Sequence, residues 1–169
     1  MKEFYESHAV ELCAYSSNFT QSLNIKPDVV KHIDCHRQLS LRDHEAGGQL
    51  FGRILPEIIC VDAVEGPYKH DSRGRFHYRS DPKCAQRNIL KHKEAGRLYL
   101  GEWHTHAEPS PIASTHDIKA MNALIRMSKI NINGLLLLIA GQSLEPKGIS
   151  IYSFFNGGHQ VWEINNTFT

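Results

Sequence analysis

The sequence predicts an α/β sandwich, in which helices flank a mixed β-sheet, built as a single domain over residues 1–169. Three observations lead to this prediction. Segments with strand-like and helix-like patterns alternate along the chain. A length of 169 residues suits one domain that buries a substantial core. No repeat, low-complexity segment or linker divides the sequence.

Short apolar or alternating segments predict the strands of the sheet. In chain order they lie at residues 9–15, 48–54, 58–64, 97–105, 135–140, 149–155 and 159–164. Pro56 separates the second strand from the third, and the two are expected to pair. Asn156-Gly157 is a strong turn signal, so the last two strands are expected to form a hairpin. Residues 16–25 are predicted to be a polar connection.

Three segments have the spacing of helices. They are expected over about residues 27–38, from Asp81-Pro82 to near Gly96, and after Ser114. Pro27 suits the first turn of a helix, and Val29, Val30 and Ile33 fall on one face of it. Aspartate before a proline and glycine after the last turn are the usual start and stop signals of the second helix.

The composition predicts a cytoplasmic protein. A formal net charge of +1 gives no sign of nucleic-acid or membrane binding. The first eight residues have no apolar signal-peptide core, and the apolar run at 135–140 is far too short to cross a bilayer. Four cysteines without CxxC spacing indicate free thiols in a reducing compartment, at positions 13, 35, 60 and 84.

One set of residues predicts the chemistry. His104 and His106 lie at the end of a predicted strand, and residues two apart in a strand point to the same face. Both imidazoles can therefore converge on one metal ion while Thr105 points away. With Asp117 they would form a three-ligand set that leaves a fourth tetrahedral position open, which is typical of catalytic rather than structural zinc.

Two interpretations stay open for Ser114 and Asp117, and they are compatible. Serine followed three residues later by an acid has the shape of a capping box, so the pair could serve only to cap a helix. As a metal ligand, Asp117 would lie in the first helical turn, where the peptide dipoles favour an anion. That position would keep its carboxylate ionised.

These motifs resemble those of the JAMM/MPN metallopeptidases. Residues 104–117 read HTHAEPSPIASTHD and match the family's His-x-His-x7-Ser-x-x-Asp, while residues 45–52 read EAGGQLFG and are similar to Glu-x-Gly-Gly-x-Leu-x-Gly. The resemblance in element order runs from about residue 26 to the C-terminus. One departure is Ala107, where the family usually has proline, although Pro109 and Pro111 still stiffen the loop.

The resemblance implies a cytidine-deaminase-like JAMM/MPN fold and one Zn²⁺ per chain, bound by His104, His106 and Asp117. Glu45 would be the general base that takes the proton of the attacking water and passes it to the leaving amine. Ser114 would donate a hydrogen bond to the developing oxyanion. No covalent intermediate is needed.

A basic and aromatic segment at residues 66–80 has two open interpretations. It is a solvated loop, or it forms one side of a groove for an extended substrate tail, with Phe76 or Tyr78 in contact with that tail. An extended peptide bound near the metal needs backbone pairing and aromatic walls.

The resemblance also implies the substrate class: JAMM enzymes mostly cleave bonds after the C-terminal tail of ubiquitin-like or conjugated proteins. This short version looks like bacterial members of CBASS antiphage operons, which release a nucleotidyltransferase from proteins to which an E1/E2-like ligase attached it. Two alternatives are a peptidase of a ubiquitin-like sulfur carrier and a non-catalytic MPN scaffold. The last is disfavoured because scaffolds usually lose ligands.

Overall fold

Eleven strands and three helices make up the regular structure of the described chain, which in the computed structural model covers residues 10–130, 132–144 and 146–165. The helices are α1 (Pro27–Asp34), α2 (Pro82–Glu94) and α3 (Thr115–Met127). The strands are β1 (Leu12–Tyr15), β2 (Ser22–Ile25), β3 (Gly47–Ile54), β4 (Ile58–Glu65), β5 (Ser72–Gly74), β6 (His77–Arg79), β7 (Leu98–Thr105), β8 (Gly134–Ala140), β9 (Ile149–Phe155), β10 (Gly158–Val161) and β11 (Glu163–Asn165).

One mixed sheet contains nine of these strands, in the order β10-β9-β8-β7-β3-β4-β2-β1-β11. The pairs β2–β4 and β7–β8 are parallel, and the other neighbours are antiparallel. The edge strands β10 and β11 are separated in sequence only by Trp162, so the sheet must curl until its two edges approach each other. The remaining strands, β5 and β6, form a separate hairpin.

The core lies on both faces of this sheet, which is why strand β8 is a continuous apolar run. Because side chains alternate along a strand, Leu136 and Leu138 join the cluster that includes helix α1, whereas Leu135 and Leu137 join the cluster that includes Met121 of α3. The predicted sandwich of a mixed sheet and flanking helices is confirmed. None of the helices in the described residues is both long and apolar enough to span a membrane.

The predicted helix over 27–38 is too long, because α1 ends at Asp34. The physical reason lies in Arg37, whose buried guanidinium donates from Nη1 to the carbonyl oxygens of Gly141, Ser143 and Gly148 at 2.7, 3.1 and 2.9 Å. This tertiary contact ties the segment after α1 to the loop after β8. The contact favours a non-helical segment after Asp34 more strongly than the local sequence pattern favours a longer helix.

Three other predictions of regular structure were wrong in part. The polar connection at 16–25 contains β2, whose Leu23 and Ile25 are buried although the strand is only four residues long. The 66–80 segment is not a plain loop but carries the β5–β6 hairpin. The last predicted strand, 159–164, is divided at Trp162 into β10 and β11, which lie on opposite edges of the sheet.

Candidate metal centre and active site

The end of strand β7 and the start of strand β3 bring the two sequence motifs together. The strands are antiparallel neighbours, and Gly47 is opposite His104. Glu45, two residues earlier, therefore lies beside the end of β7. Thr105 fixes this approach, since its backbone N–H donates to the carbonyl of Ala46 at 2.8 Å and its hydroxyl accepts from the Ala46 N–H at 3.0 Å.

The two glycines of the upstream motif are explained by this close packing. A Cβ atom at Gly47 would lie 2.5 Å from a ring carbon of Tyr78, and one at Gly48 would lie 1.9 Å from the carbonyl oxygen of Glu65. Any side chain at either position would push β3 away from its neighbours. Glu45 would then be displaced from the site.

Three side chains with potential ligand atoms converge at the end of β7. His104 Nε2 lies 3.0 Å from His106 Nε2 and 3.3 Å from Asp117 Oδ1, and His106 Nε2 lies 3.3 Å from Asp117 Oδ2. Ligand atoms at about 2.0 Å from a tetrahedral zinc ion lie roughly 3.3 Å apart. The spacing of these three groups therefore fits one such ion, and they are the residues that could hold a metal in the described chain.

The charges of the cluster also suit a cation. Burial raises the pKa of Asp117, but hydrogen bonds with His104 and His106 outweigh burial and hold that pKa well below its usual range. Burial lowers the pKa of His106, whereas hydrogen bonds to Asp117 and Glu108 raise it, with a net value of about 9. Without a metal, a proton at His106 therefore compensates the carboxylates. A metal ion would replace that proton.

Glu45 is placed next to this cluster but outside the ligand set. Its side chain is buried, and burial raises its pKa to about 7, with smaller opposing effects of His106, which lowers the pKa, and Asp117, which raises it. A bound cation nearby would lower this pKa again. A carboxylate in this position can accept a proton from water and release it again.

Ser114 and Asp117 do form a capping box at the start of α3. The backbone N–H groups of Ser114 and Asp117 donate to the Asp117 carboxylate and the Ser114 hydroxyl at 2.7 and 3.1 Å. The Ser114 hydroxyl also donates to Asp117 Oδ2 at 2.7 Å. The cap thus holds Asp117 in the cluster, and the exposed hydroxyl of Ser114 would have to turn from Asp117 to bind a substrate oxygen.

Three contacts in the site were not predicted from the sequence. The β5–β6 hairpin holds the main chain of Glu45 on both sides: the Glu45 N–H donates to the Gly74 carbonyl at 2.7 Å, and Arg73 Nε donates to the Glu45 carbonyl at 2.6 Å. Glu108 Oε1 lies 2.8 Å from His106 Nδ1. The only sequence signal for Glu108 is its position two residues after His106.

A cleft of about 320 Å³ opens onto the cluster. The hairpin lines it with Phe76, His77 and Tyr78, and the remaining lining comes from the segment 104–117 and from Glu45. Phe76 is 78% exposed, whereas Tyr78 is half-buried and its hydroxyl donates to Asp71 at 2.9 Å and hydrogen-bonds with Ser80 at 2.7 Å. Tyr78 therefore also anchors the hairpin.

A larger apolar cavity of about 740 Å³ lies elsewhere, between residues such as Phe19, Leu98, Phe155 and Trp162. None of its described lining residues is titratable. The smaller cleft, with its buried carboxylate and three convergent ligand groups, is therefore the candidate reactive site.

These features define an α/β domain with a candidate metal centre at the bottom of a cleft. The chain belongs to the prokaryotic homologs of the JAB domain, a family whose model matches residues 30–154. This membership confirms the resemblance seen in the two motifs.

Relatives in this family carry a common name. The chain is 26% identical over 131 residues to a CD-NTase/cGAS isopeptidase of Escherichia coli strain TW11681, covering 76% of this chain and 81% of that protein. It is 32% identical over 117 residues to a CD-NTase/cGAS isopeptidase of Vibrio cholerae serotype O1, covering 68% and 72%.

A solved structure has a similar fold. Protein DSY2949 from Desulfitobacterium hafniense superimposes with a TM-score of 0.55, covering 78% of this chain and 82% of that chain at 20% sequence identity. This similarity supports the fold alone.

Proposed function

We propose that this protein is a zinc-dependent isopeptidase that hydrolyses the bond after the C-terminal tail of a conjugated protein. The observation that carries the proposal is the convergence of His104, His106 and Asp117 beside the buried carboxylate of Glu45 in an open cleft. Membership in the JAB family and relatives named CD-NTase/cGAS isopeptidase support the peptidase class.

The proposed substrate is a nucleotidyltransferase whose C-terminus has been attached to another protein by an E1/E2-like ligase of a CBASS defence operon. The enzyme would reverse that conjugation. The names of the relatives support this choice over a ubiquitin-like sulfur carrier. The intact set of five groups argues against a scaffold that only binds partners.

The residues of the cluster fit the metal in number, type and spacing. His104, His106 and Asp117 would hold it, and when bound it would supply a Lewis acid that favours ionisation of a nearby water and polarises the substrate carbonyl. The ligand donors are two imidazole nitrogens and one carboxylate, which zinc commonly accepts. One side of the set faces the cleft, where a substrate could approach.

Glu45 would manage the proton of the reaction. Its carboxylate takes the proton as water adds to the carbonyl carbon, and gives it to the amine nitrogen as the C–N bond breaks, so the products are a carboxylic acid and an amine. Its side chain is buried and lines the same cleft as the three ligand groups. The Ser114 hydroxyl, once turned toward the cleft, would donate to the negatively charged carbonyl oxygen.

The hairpin would serve both substrate and base. Phe76 presents an exposed aromatic ring at the cleft, while Arg73 and Gly74 hold the backbone of Glu45 from the same hairpin. An extended tail bound along this side would pass close to Glu45. Because different residues of the hairpin would bind the tail and hold Glu45, we expect mutations to separate substrate binding from the positioning of Glu45.

Phe76→Ala is expected to raise KM for a conjugate about fivefold with little change in kcat, because a contact made equally in the ground and transition states affects binding alone. Steady-state cleavage of a fluorescent conjugate measures KM and kcat. Tyr78→Phe keeps the second aromatic ring of the hairpin at the cleft and removes only the hydroxyl that anchors the hairpin. It therefore separates the effect of that anchor on KM from the effect of the ring. Met127→Ala is the matched control, since Met127 is 83% exposed and does not line the cleft. Unaltered KM in Phe76→Ala would place the groove elsewhere.

Arg73→Ala is expected to lower kcat about 10- to 100-fold, because a base displaced by about 1 Å loses that much rate. KM and zinc content should change little. Cleavage rates and metal analysis on the same preparation check this result. Arg79→Ala removes an exposed arginine from the neighbouring strand and serves as control. An Arg73→Ala enzyme with normal kcat would show that the hydrogen bond from Arg73 to the Glu45 carbonyl does not position Glu45.

The substrate class is tested by offering the zinc-loaded protein two substrates. One is a nucleotidyltransferase linked through its C-terminus to a lysine, and the other is a ubiquitin-like sulfur carrier with a C-terminal extension. Cleavage of the first alone supports the proposal. Cleavage of the second alone would move the assignment to sulfur-carrier processing.

A further inference from the structure

We propose that Glu108 is a positioning residue that fixes the tautomer and the ring orientation of His106 for metal binding. This inference rests on the proposed metal site and deepens it. Glu108 is outside the set of three ligand groups and contacts His106 at Nδ1, so its proposed effect on metal binding passes through His106.

The contact itself sets the tautomer. Glu108 Oε1 lies 2.8 Å from His106 Nδ1, and an ionised carboxylate can only accept a hydrogen bond. Nδ1 therefore carries a proton in this contact, and Nε2 is the nitrogen left to bind a metal. Nε2 is the atom that faces the other two ligand groups, at 3.0 Å from His104 Nε2 and 3.3 Å from Asp117 Oδ2.

His106 needs such a partner more than His104 does. His104 is inside strand β7, which has neighbours on both sides, whereas His106 follows the end of the strand. Its backbone is held by one hydrogen bond, from its N–H to the Ala140 carbonyl at 2.9 Å. The ring can still rotate about its side-chain bonds, and the carboxylate at Nδ1 restricts that rotation.

Glu108 is itself held in place by the loop. Its Oε1 accepts from the Ile112 N–H at 3.0 Å, and its carbonyl accepts from the Gln142 N–H at 2.8 Å. The next carbonyl, of Pro109, accepts from the Ser143 N–H at 3.1 Å. The loop is thus fixed to the segment after β8, although Ala107 stands where the family usually has proline. Glu108 occupies a defined position before any metal binds.

The general expectation for a carboxylate that orients a metal-bound histidine is a loss of about 10- to 100-fold in metal affinity when it is removed. Glu108→Ala should show this loss. Glu108→Gln keeps an oxygen that can accept from Nδ1 but loses the charge, so its affinity should lie between that of the wild type and that of Glu108→Ala. Glu94→Ala removes an exposed glutamate from the end of α2 and should match the wild type.

The experiment is zinc titration of the full chain against a chromophoric chelator, combined with ¹⁵N NMR of the Nδ1–H group of His106 in the zinc-loaded protein. We expect weaker zinc binding in Glu108→Ala, and loss of the hydrogen-bonded, slowly exchanging Nδ1–H signal that the zinc-loaded wild type shows. Affinity within twofold of the wild type would overturn the inference. Weaker binding with an unchanged Nδ1–H signal would also overturn it, since Glu108 would then act only by folding the loop. A wild-type protein that binds no zinc would instead refute the proposed function.

Discussion

Glu45→Ala is expected to abolish cleavage of a conjugate while zinc stays bound and the fold is kept. The carboxylate lies beside the ligand set, so its removal should lower kcat by about 10²- to 10⁴-fold, which is the usual contribution of a general acid–base group. Cleavage kinetics and metal analysis of the same preparation measure both effects. Burial of Glu45 raises its pKa to about 7, so the alanine variant also removes a costly buried acid and should not lose stability through charge.

Glu45→Gln is the matched variant, because it keeps the size and hydrogen-bonding capacity of the side chain but cannot take a proton. Both variants should be equally inactive. A correctly metallated variant of either kind that still cleaves the conjugate at the wild-type rate would refute the role of Glu45 in proton transfer.

The second large effect concerns the metal. His104→Ala is expected to lose the zinc that the wild type binds at about one ion per chain, and cleavage with it, because removal of one of three protein ligands leaves an incomplete set. Zinc per chain is measured after dialysis against buffer without metal. His116→Ala is the control, since His116 is exposed in the same cleft but is not in the ligand set. An equal zinc content per chain in wild type and His104→Ala would contradict the assignment of the ligands.

The fold could be predicted from the sequence where local patterns and tertiary packing agree. The apolar run at 135–140 became the buried strand β8, and Asn156-Gly157 became the turn between β9 and β10. The paired strands around Pro56 are neighbours in the sheet. In each case the pattern that predicts the element also provides the residues that bury it.

Prediction failed where a distant contact decides the local structure. Arg37 ends helix α1 early because its guanidinium binds three carbonyls more than a hundred positions away, which no local pattern records. Strand β2 is too short for alternation to be significant, and it exists because it pairs between β1 and β4. The division of the last predicted strand at Trp162 also depends on distant pairing, because β10 and β11 lie on opposite edges of the sheet.

The candidate site shows the same division. The spacing of His104, His106 and Asp117 is a property of the sequence, and the structure brings these three side chains together. Their roles as zinc ligands, and those of Glu45 and Ser114 in catalysis, remain predictions. Two contacts depend on loop conformations that the spacing of residues does not encode. They are the hydrogen bond from Arg73 to the Glu45 carbonyl and the contact between Glu108 and His106.

The most direct test of a zinc isopeptidase is to measure zinc content and conjugate cleavage together in wild type, His104→Ala and Glu45→Ala. The proposed mechanism predicts about one zinc ion and cleavage in the wild type, neither in His104→Ala, and zinc without cleavage in Glu45→Ala. Cleavage by His104→Ala at the wild-type rate, in a preparation that contains no zinc, would contradict it.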